Sequence, residues 1–350
     1  MRGGPVREET RPFWRRYSVA GGLLLLAVGV SLWFWWGRQT AMQAVQAPSH
    51  CALPAQPASA PHPGMVWVPG GTFEFGDTEN PEEQPIRQTT VAGVWMDRTE
   101  VTNDEFAGFV RATGYVTLAE RAVDVTKHTG LPPDMQQPGA VVFVMPNDVR
   151  GGGHVTQWWR YLPGANWRHP GGPTTSIDGR GAFPVVTLAF EDAQAYARWK
   201  GRSLPSEAQW EWAARAGQTR AAQDHAQPAQ ANTWQGLFPV VNSGDDGFVG
   251  LAPVGCYAPN ALGLFDMIGN VWELTSDAYT PTHPEPGVAL PMPSDVRAVA
   301  AVGQRVIKGG SFLCAPNYCM RYRSGARQPQ DDDLGTSHLG FRTILIAPGP

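Results

Sequence analysis

Apolar residues recur at helical spacing in three short stretches of the chain. The first follows the capping box at residues 102–105, places apolar residues at i, i+3 and i+4, and stops at Gly114. The same pattern predicts a helix from about Phe190 to Trp199. A second capping box, at residues 206–209, opens the third stretch, which stops at Gly217. We therefore expect three helices, none of them long.

Most of the remaining chain alternates short apolar runs with turn residues. Residues 65–76, MVWVPGGTFEFG, predict two short strands around a Pro-Gly-Gly turn. Glycine and proline number 40 and 32, a content typical of a protein with many loops. Because no further linker interrupts the pattern after residue 64, we predict one large α+β domain over residues 65–350.

The N-terminal region has a different pattern. Residues 17–37, YSVAGGLLLLAVGVSLWFWWG, contain no charged side chain and are long enough to span a bilayer as a helix. Five arginines precede this run and Arg38 alone follows it, which predicts a cytoplasmic segment at 1–16. We therefore expect a single-pass signal anchor in the inner membrane, with the large domain on the exported, periplasmic side. A cleaved signal peptide is the alternative.

Residues 38–64 connect the predicted anchor to the domain. They are rich in Ala, Pro, Gln and Ser and show no apolar periodicity, which predicts an extended linker. Cys51 lies in this segment and is interpreted as a free thiol. Cys256, which has no evident partner in the pattern, is interpreted as a buried free thiol.

Cys314 and Cys319 are the only two cysteines that lie close together in the sequence. Two thiols at this spacing can form a structural disulfide, act as a redox pair or bind a soft metal. Thiolates are soft ligands and Cu(I) is a soft ion, so a site with two thiolates favours copper. An exported location favours a disulfide instead. Spacing alone therefore leaves the choice open.

Six further segments give the domain a resemblance to a known family. These segments are residues 164–170, 202–211, 232–236, 242–248, 263–273 and 339–342. They resemble the formylglycine-generating enzyme family, also called the sulfatase-modifying factors. That family's fold is α+β, with a C-type-lectin-like core, short strands, few helices and long loops. The cysteine pair after Lys308-Gly-Gly-Ser is similar to the two active-site cysteines of these enzymes.

The resemblance implies an oxidoreductase that converts the cysteine of a Cys-x-Pro-x-Arg motif in a still-unfolded sulfatase to Cα-formylglycine. Such an enzyme would use O2 and a thiol reductant, and Cys314 and Cys319 would bind Cu(I). Ser311 matches a serine near the family's active site, and Trp272 could line a pocket for O2. A turn-stabilising hydroxyl and a core tryptophan are the ordinary alternatives. Tyr318 is expected to line the substrate site.

Some positions depart from the family's pattern. Ala315 stands where some members have histidine, and His338 stands where some have an asparagine that helps the active site. These two positions put the substrate contacts, including that of His338, in doubt. Ser324 and Thr343 occupy positions of additional cysteines in some members, so we expect those crosslinks to be absent.

The resemblance also implies two Ca²⁺ sites, since calcium prefers oxygen ligands from carboxylates, carboxamides and carbonyls. The ligands would be Asn232, Thr233, Asp246 and Phe248 in the first site, and Asp266, Gly269, Val271 and Glu273 in the second. In the first site Thr233 and Phe248 would contribute carbonyl oxygens, as would Gly269 and Val271 in the second. Without the resemblance, these residues would be interpreted as turn formers.

Two other functions are alternatives. A non-catalytic binding module can have the same core, and the cysteine pair is the feature that argues against it. A non-haem iron oxygenase of thiol-histidine biosynthesis would need a further helical domain with a His-rich motif, and the eight histidines form no such cluster. The formal net charge of −4 argues against nucleic-acid binding, which requires clustered positive charge.

Overall fold

The computed structural model describes residue 4 and residues 48–126, 130–149, 153–217, 227–283 and 303–350. Apart from residue 4, the predicted segments at 1–16 and 17–37 and the first part of the linker lie outside these ranges. Within the ranges, no helix combines the length and the apolar character of a transmembrane span. The described residues from 48 onward belong to one compact unit, Pro48–Pro350.

Three α-helices form among the described residues, all at predicted positions. They are α1, Asn103–Thr113; α2, Phe190–Trp199; and α3, Glu207–Ala214. The capping box of α1 is complete, since the Glu105 amide donates to the Thr102 hydroxyl and the Glu105 carboxylate accepts from the Thr102 amide. Gly114 closes this helix in the left-handed conformation, at φ +67°. Because these contacts are local, the sequence predicts the ends of the helix.

The third helix is shorter than predicted. α3 ends at Ala214, three residues before the expected stop at Gly217. The Gly217 amide donates to the Trp212 carbonyl oxygen at 3.2 Å. The glycine therefore closes the last turn and does not extend the helix.

Eleven short strands form four sheets within the described ranges. Their bounds are β1, Met65–Val68; β2, Gly71–Phe75; β3, Arg87–Val91; β4, Val94–Asp97; β5, Gly139–Phe143; β6, Trp159–Pro163; β7, Trp272–Ala278; β8, Gln304–Lys308; β9, Arg327–Asp331; β10, Leu339–Gly340; and β11, Ile344–Leu345. The sheet orders are β1-β4-β11, β10-β7-β8-β9, β2-β3 and β5-β6. Short 3-10 helices lie in the connections, at Pro81–Glu83, Leu118–Glu120, Pro133–Gln136 and Val155–Gln157. This architecture confirms the predicted α+β fold of short strands, few helices and long loops.

The two strands predicted in residues 65–76 form as β1 and β2, but they do not pair with each other. β1 is antiparallel to β4, which also pairs with β11 near the C-terminus. β2 is antiparallel to β3. The Pro-Gly-Gly connection therefore carries the chain from one sheet to another. Because the partners are distant in sequence, the local pattern predicts the strands and not their pairing.

The main hydrophobic core packs α1 and α2 against the four-stranded sheet. Phe106 of α1 stacks on Tyr196 of α2, with ring centroids 6.0 Å apart. Trp272 of β7 belongs to the same buried cluster, and so do Cys314 and Cys319. The cysteine pair therefore lies in the core beside the sheet.

Cys51 and Cys256 form a disulfide, so the interpretation of both as free thiols is wrong. The two residues are 205 positions apart, and no sequence pattern connects them. Further contacts hold the same segment against the domain. Arg98 Nη1 donates to the Pro54 carbonyl at 2.9 Å, and Gln56 Nε2 donates to the Met65 carbonyl at 2.7 Å. Residues 48–64, expected to belong to an extended linker, are thus bound to the domain.

Candidate active site

The cysteine pair lies on the segment that leaves β8 and returns at β9. Gly309 and Gly310 follow β8 with φ of +96° and +76°, a region that glycine adopts without strain. A Cβ atom added to Gly310 would lie 2.9 Å from the carbonyl oxygen of Arg321. A Cβ atom added to Gly309 would lie 3.0 Å from the carbonyl oxygen of Met267. The two glycines therefore let the segment fold back closely on itself and on the neighbouring loop.

Cys314 and Cys319 are held one turn apart by backbone hydrogen bonds. The Cys314 amide donates to the Ser311 carbonyl at 2.9 Å, and the Cys319 amide donates to the Ala315 carbonyl at 3.1 Å. The two cysteines are 1% and 7% exposed, and neither is in a disulfide. Their side chains are hydrogen bonded to each other. The structure thus brings the two predicted copper ligands together.

The two sulfurs differ in their affinity for a proton. Burial raises the pKa of the Cys314 thiol well above its usual range, and the hydrogen bond to Cys319 adds to this effect. The same hydrogen bond lowers the pKa of Cys319 against the effect of burial, with help from the Arg321 and Arg323 charges. Cys319 is therefore the more acidic of the two thiols, with Cys314 as donor in the hydrogen bond between them. Loss of both thiol protons gives the two-thiolate state that soft metals bind.

Arg321 and Arg323 are fixed in place by carboxylates from the N-terminal part of the domain. Arg323 Nη1 lies 2.6 Å from Asp77 Oδ2, and its Nη2 lies 2.7 Å from Glu83 Oε1. Arg321 forms an ion pair with Glu82. All three carboxylates belong to the connection between β2 and β3. The positive charges beside Cys319 consequently have defined positions.

Ser311 and Trp272 both lie beside the cysteines and make structural contacts there. Ser311 is fully buried, and its hydroxyl oxygen accepts from the Leu313 amide at 3.2 Å, as expected of a turn-stabilising residue. Trp272 is 1% exposed and packs in the same cluster as Cys314. Its amide donates to the His338 carbonyl at 2.9 Å. These contacts are those of a turn-stabilising serine and a core tryptophan. A functional role for Ser311 and Trp272 stays a prediction.

Tyr318 and His338 are the two predicted substrate contacts. Tyr318 is 43% exposed, and its ring stacks on Phe238 with centroids 4.0 Å apart. His338 is partly exposed, its Nδ1 lies 2.9 Å from Thr336 Oγ1, and its ring centroid lies 4.7 Å from that of Trp159. Although part of the residue reaches solvent, loss of water around its ring lowers the pKa of His338 to about 3, so the imidazole is uncharged at neutral pH.

The first predicted calcium site is built around Asn232. This side chain is buried, and its Oδ1 accepts no hydrogen bond. The Asp246 carboxylate contacts the same loop, since its Oδ2 accepts from the Thr233 amide at 2.8 Å and its Oδ1 from the Phe248 amide at 3.2 Å. The four predicted residues are thus brought together. A buried amide oxygen without a donor is unusual, and a bound cation would satisfy it.

The second predicted calcium site contains more buried carboxylates than the neighbouring positive charge of Arg342 can neutralise. Both oxygens of Glu273 accept from Arg342 at 2.7 Å, and Asp266 Oδ2 accepts from the Gly255 amide at 2.5 Å. Burial raises the pKa of Asp266 to about 6, with a further contribution from Glu273. Burial and Asp266 together raise the pKa of Glu100 well above its usual range. A cation at this place would offset the excess charge.

Two residues of this region were not predicted. Glu100 is fully buried, and its Oε2 has no hydrogen-bond partner. Asn270 lies between Gly269 and Val271, the predicted carbonyl ligands, and its Nδ2 donates to Glu100 Oε1 at 3.1 Å. Its Oδ1 accepts from Asn232 Nδ2 at 3.0 Å, so Asn270 connects the two loops. No sequence signal marks Glu100, because acidic residues ahead of a helix are common on surfaces.

The predicted calcium ligands depend on amide and carbonyl oxygens as well as carboxylates. Across the described parts of the chain, no three His, Cys, Asp or Glu side chains form a group that could hold a metal ion by themselves. The cysteine pair likewise supplies two ligands and no more from such side chains. Any metal at these places would need further ligands from the backbone, from amides or from another molecule.

Both predicted calcium loops are hydrogen bonded to the cysteine segment. The Trp234 amide, next to the first site, donates to the Cys314 carbonyl at 3.0 Å. The Phe312 amide donates to the carbonyl of Asn270, in the second site, at 2.9 Å. The position of the cysteines therefore depends on the order of these two loops.

The chain is similar in sequence and in fold to several known proteins. A family model for the sulfatase-modifying factor enzyme 1-like domain matches residues 51–347. A formylglycine-generating enzyme of Mycobacterium tuberculosis is 47% identical over 293 residues, which are 80% of this chain and 97% of that protein. A mouse protein named inactive C-alpha-formylglycine-generating enzyme 2 is 34% identical over 302 residues, 83% of this chain and 88% of that protein. The structure of PvdO from Pseudomonas aeruginosa shares the fold, with a TM-score of 0.54, 23% identity, and coverage of 80% of this chain and 93% of that one.

Proposed function

The chain belongs to the sulfatase-modifying factor family, and on this premise we propose that it is an enzyme that oxidises a sulfatase cysteine to Cα-formylglycine. Its substrate would be the cysteine of a Cys-x-Pro-x-Arg motif in a still-unfolded sulfatase. One observation carries the proposal: Cys314 and Cys319 are adjacent unbridged thiols in a chain whose other two cysteines form a disulfide. A pair kept as thiols is suited to chemistry in a way that a structural crosslink is not.

We assign Cu(I) to Cys314 and Cys319. Two buried sulfurs that are hydrogen bonded to each other can supply the soft thiolate donors that this ion prefers. Bound there, Cu(I) would supply the one-electron chemistry needed to use O2. The protein holds the two ligands on a single turn, keeps water away from them by burial, and stabilises negative charge at Cys319 through Arg321 and Arg323.

The overall conversion is a two-electron oxidation of the substrate. The substrate Cβ loses hydrogen, its sulfur leaves as hydrogen sulfide, and an oxygen from water becomes the aldehyde oxygen. Reduction of O2 to two water molecules takes these two electrons and two more from a thiol reductant. The chain's own part is to position the substrate thiol beside the cysteine pair.

Four other residues are proposed to serve this reaction. Ser311 would stabilise the cysteine turn through its contact with the Leu313 amide, and Trp272 would pack against the pair in the buried cluster. Tyr318 offers an exposed ring to the substrate beside Cys319. His338, uncharged at neutral pH, would contact substrate as a neutral imidazole in place of an asparagine amide.

We further propose two structural Ca²⁺ ions. The first would be held by the Asn232 and Asp246 side chains with the Thr233 and Phe248 carbonyls, and the unpaired Asn232 Oδ1 supports it. The second would be held by Asp266, the Gly269 and Val271 carbonyls and Glu273, and the uncompensated buried charge there supports it. Because both loops are hydrogen bonded to the cysteine segment, the ions would keep that segment in place.

We propose that the domain works on the exported side of the inner membrane, attached by a single-pass anchor at 17–37. The Cys51–Cys256 disulfide supports this location, because disulfides form and persist in oxidising compartments. The linker between the anchor and the domain would then consist of residues 38–50 only, because the disulfide already joins Cys51 to the domain.

A non-catalytic binding protein is the second candidate function. The observation in its favour is that a relative named as inactive is 34% identical to this chain, so family membership does not establish turnover. The retained thiols favour the enzyme.

Conversion of a Cys-x-Pro-x-Arg peptide under air, by the full-length protein supplied with Cu(I) and a thiol reductant, tests the enzymatic proposal. The expected product has the mass of formylglycine. Cys314→Ser and Cys319→Ser should each abolish conversion. The matched control is the Cys51→Ser/Cys256→Ser double variant, which loses two cysteines but keeps the pair and should remain active while folded. A folded, copper-loaded wild type that leaves the peptide unchanged would refute the enzymatic proposal and favour the non-catalytic candidate.

A further inference from the structure

Five large apolar side chains are exposed on three segments that meet beside the cysteine pair. They are Val155, Leu237, Val241, Tyr318 and Met320, each between 41% and 58% exposed. We call these five residues the apolar rim. Large side chains of this kind are usually buried, and a group of them at one place is typical of an interaction surface.

Two of the three segments are joined by Asn317 and Tyr318. Asn317 Oδ1 accepts from the Phe238 amide at 3.2 Å, and its Nδ2 donates to the Phe238 carbonyl at 3.0 Å. The Tyr318 and Phe238 rings stack with an interplanar angle of 9°. Leu237 and Val241 flank Phe238 on one turn, closed by the Val241 amide donating to the Leu237 carbonyl at 2.9 Å. These contacts place Leu237 and Val241 next to the cysteine segment.

The third segment joins through Trp158. This buried ring meets the Tyr318 ring edge-on, with centroids 6.0 Å apart, and also meets Phe238 at 5.8 Å. The Trp158 amide donates to the Val155 carbonyl at 3.2 Å, so Val155 lies one turn away. The three segments thus share one aromatic support, and their exposed apolar residues belong to one region.

The apolar rim is continuous with the cysteine site. Tyr318 and Met320 are the neighbours of Cys319 on either side, so a polypeptide whose cysteine reaches the pair comes close to both. Residues 236–244 carry no charged side chain. A surface with these properties fits apolar side chains of an extended chain.

We propose that the apolar rim binds apolar residues flanking the target cysteine in the unfolded sulfatase, and so selects an unfolded substrate. Apolar side chains are accessible in an unfolded chain and mostly buried after folding, so such a surface distinguishes the two states. The inference rests on the proposed function and adds a specificity-determining role for Leu237 and Val241.

Two peptides with the same Cys-x-Pro-x-Arg core test the proposal. One carries two leucines on each side of the core and the other carries two serines. With the full-length, copper-loaded protein, the leucine peptide should have a kcat/KM about tenfold higher than the serine peptide, mainly through KM, since this binding is the same in ground and transition states. In the Leu237→Gln/Val241→Gln double variant the ratio should fall to near one. Ile346→Gln changes an apolar residue that is 75% exposed outside the apolar rim, and it should keep the wild-type ratio.

The outcomes separate this inference from the proposed function. A wild-type ratio near one overturns the role of the apolar rim while leaving the enzymatic activity in place, and so does a high ratio that persists in the double variant. A thermal melt of the double variant confirms that it is folded. If the wild type converts neither peptide, the proposed function fails and this inference fails with it.

Discussion

Replacing both Cys51 and Cys256 by serine should lower the stability of the domain substantially. The disulfide closes a loop of 205 positions, which restricts the unfolded chain far more than a local crosslink does. In the chain-entropy description, a crosslink across this separation is worth about 5 kcal/mol. Contacts of Pro54 and Gln56 with the domain do not depend on the disulfide, so the folded arrangement of this segment should persist.

The expected effect can be expressed as a melting temperature. A unit of the size of Pro48–Pro350 unfolds with an entropy of about 0.6 kcal/mol per kelvin near its melting temperature. Loss of about 5 kcal/mol would then lower Tm by about 8 °C, and partial structure in the unfolded chain reduces this to about 5 to 8 °C. Differential scanning calorimetry of the full-length protein under non-reducing conditions gives the difference directly.

Reduction provides the matched control for this experiment. A mild reductant should lower the Tm of the wild type to that of the double variant and should not change the Tm of the double variant. Equal melting temperatures of the oxidised wild type and the double variant would refute the reasoning, because residues 48–64 would then add nothing to the cooperative unit. A reductant effect on the double variant would point to another crosslink.

Two further properties should follow from the buried charges and oxygens. Adding Ca²⁺ after EDTA treatment should raise Tm, and Asp246→Asn should require about tenfold more calcium for the same shift; a wild-type Tm that does not respond to Ca²⁺ would contradict the calcium sites. Acid should act through Glu207: burial by itself raises its pKa, but the charges of Lys308 and Arg327 and the hydrogen bond with His283 lower that pKa to about 2, from an ordinary value of 4.5. A carboxyl whose pKa is depressed by folding contributes stability above its unfolded pKa, here about 3 kcal/mol, and loses it as the pH falls from about 4.5 to 2. Denaturant unfolding at about pH 6 and about pH 3 should therefore show a smaller acid effect for Glu207→Gln than for wild type; equal effects would exclude this carboxylate as the responsive group.

Short-range contacts account for the parts of the fold that the sequence predicted. The capping box of α1 joins residues three positions apart, and Gly114 bonds to Val110 within the same turn. The strands β1 and β2 were predictable for the same reason, since alternation and turn residues act locally. Their partners β4 and β3 were not, because pairing depends on how distant segments pack.

The candidate site also has parts that the sequence could locate and parts that it could not. The cysteine pair, the calcium loops and their residue types stand in short motifs, so the resemblance could locate them. The groups that position them come from far away: Arg323 meets Glu83 across 240 positions, and Asn270 meets Glu100 across 170. Neither contact produces a local sequence pattern, because the sequence around an acidic loop residue is the same whether folding buries that residue or leaves it in solvent.

The four cysteines show this division most clearly. By itself the sequence determined where the thiols stand and which motif surrounds Cys314 and Cys319. Export favoured a disulfide within that close pair, the resemblance implied two metal-binding thiols there, and no pattern connected Cys51 with Cys256. The tertiary structure decided the pairing: Cys51 and Cys256 are joined, although both were interpreted as free thiols, and the close pair is unbridged. The physical reason is that a disulfide requires its two Cα atoms to approach within about 7 Å in suitable orientation, which folding determines and distance along the chain does not.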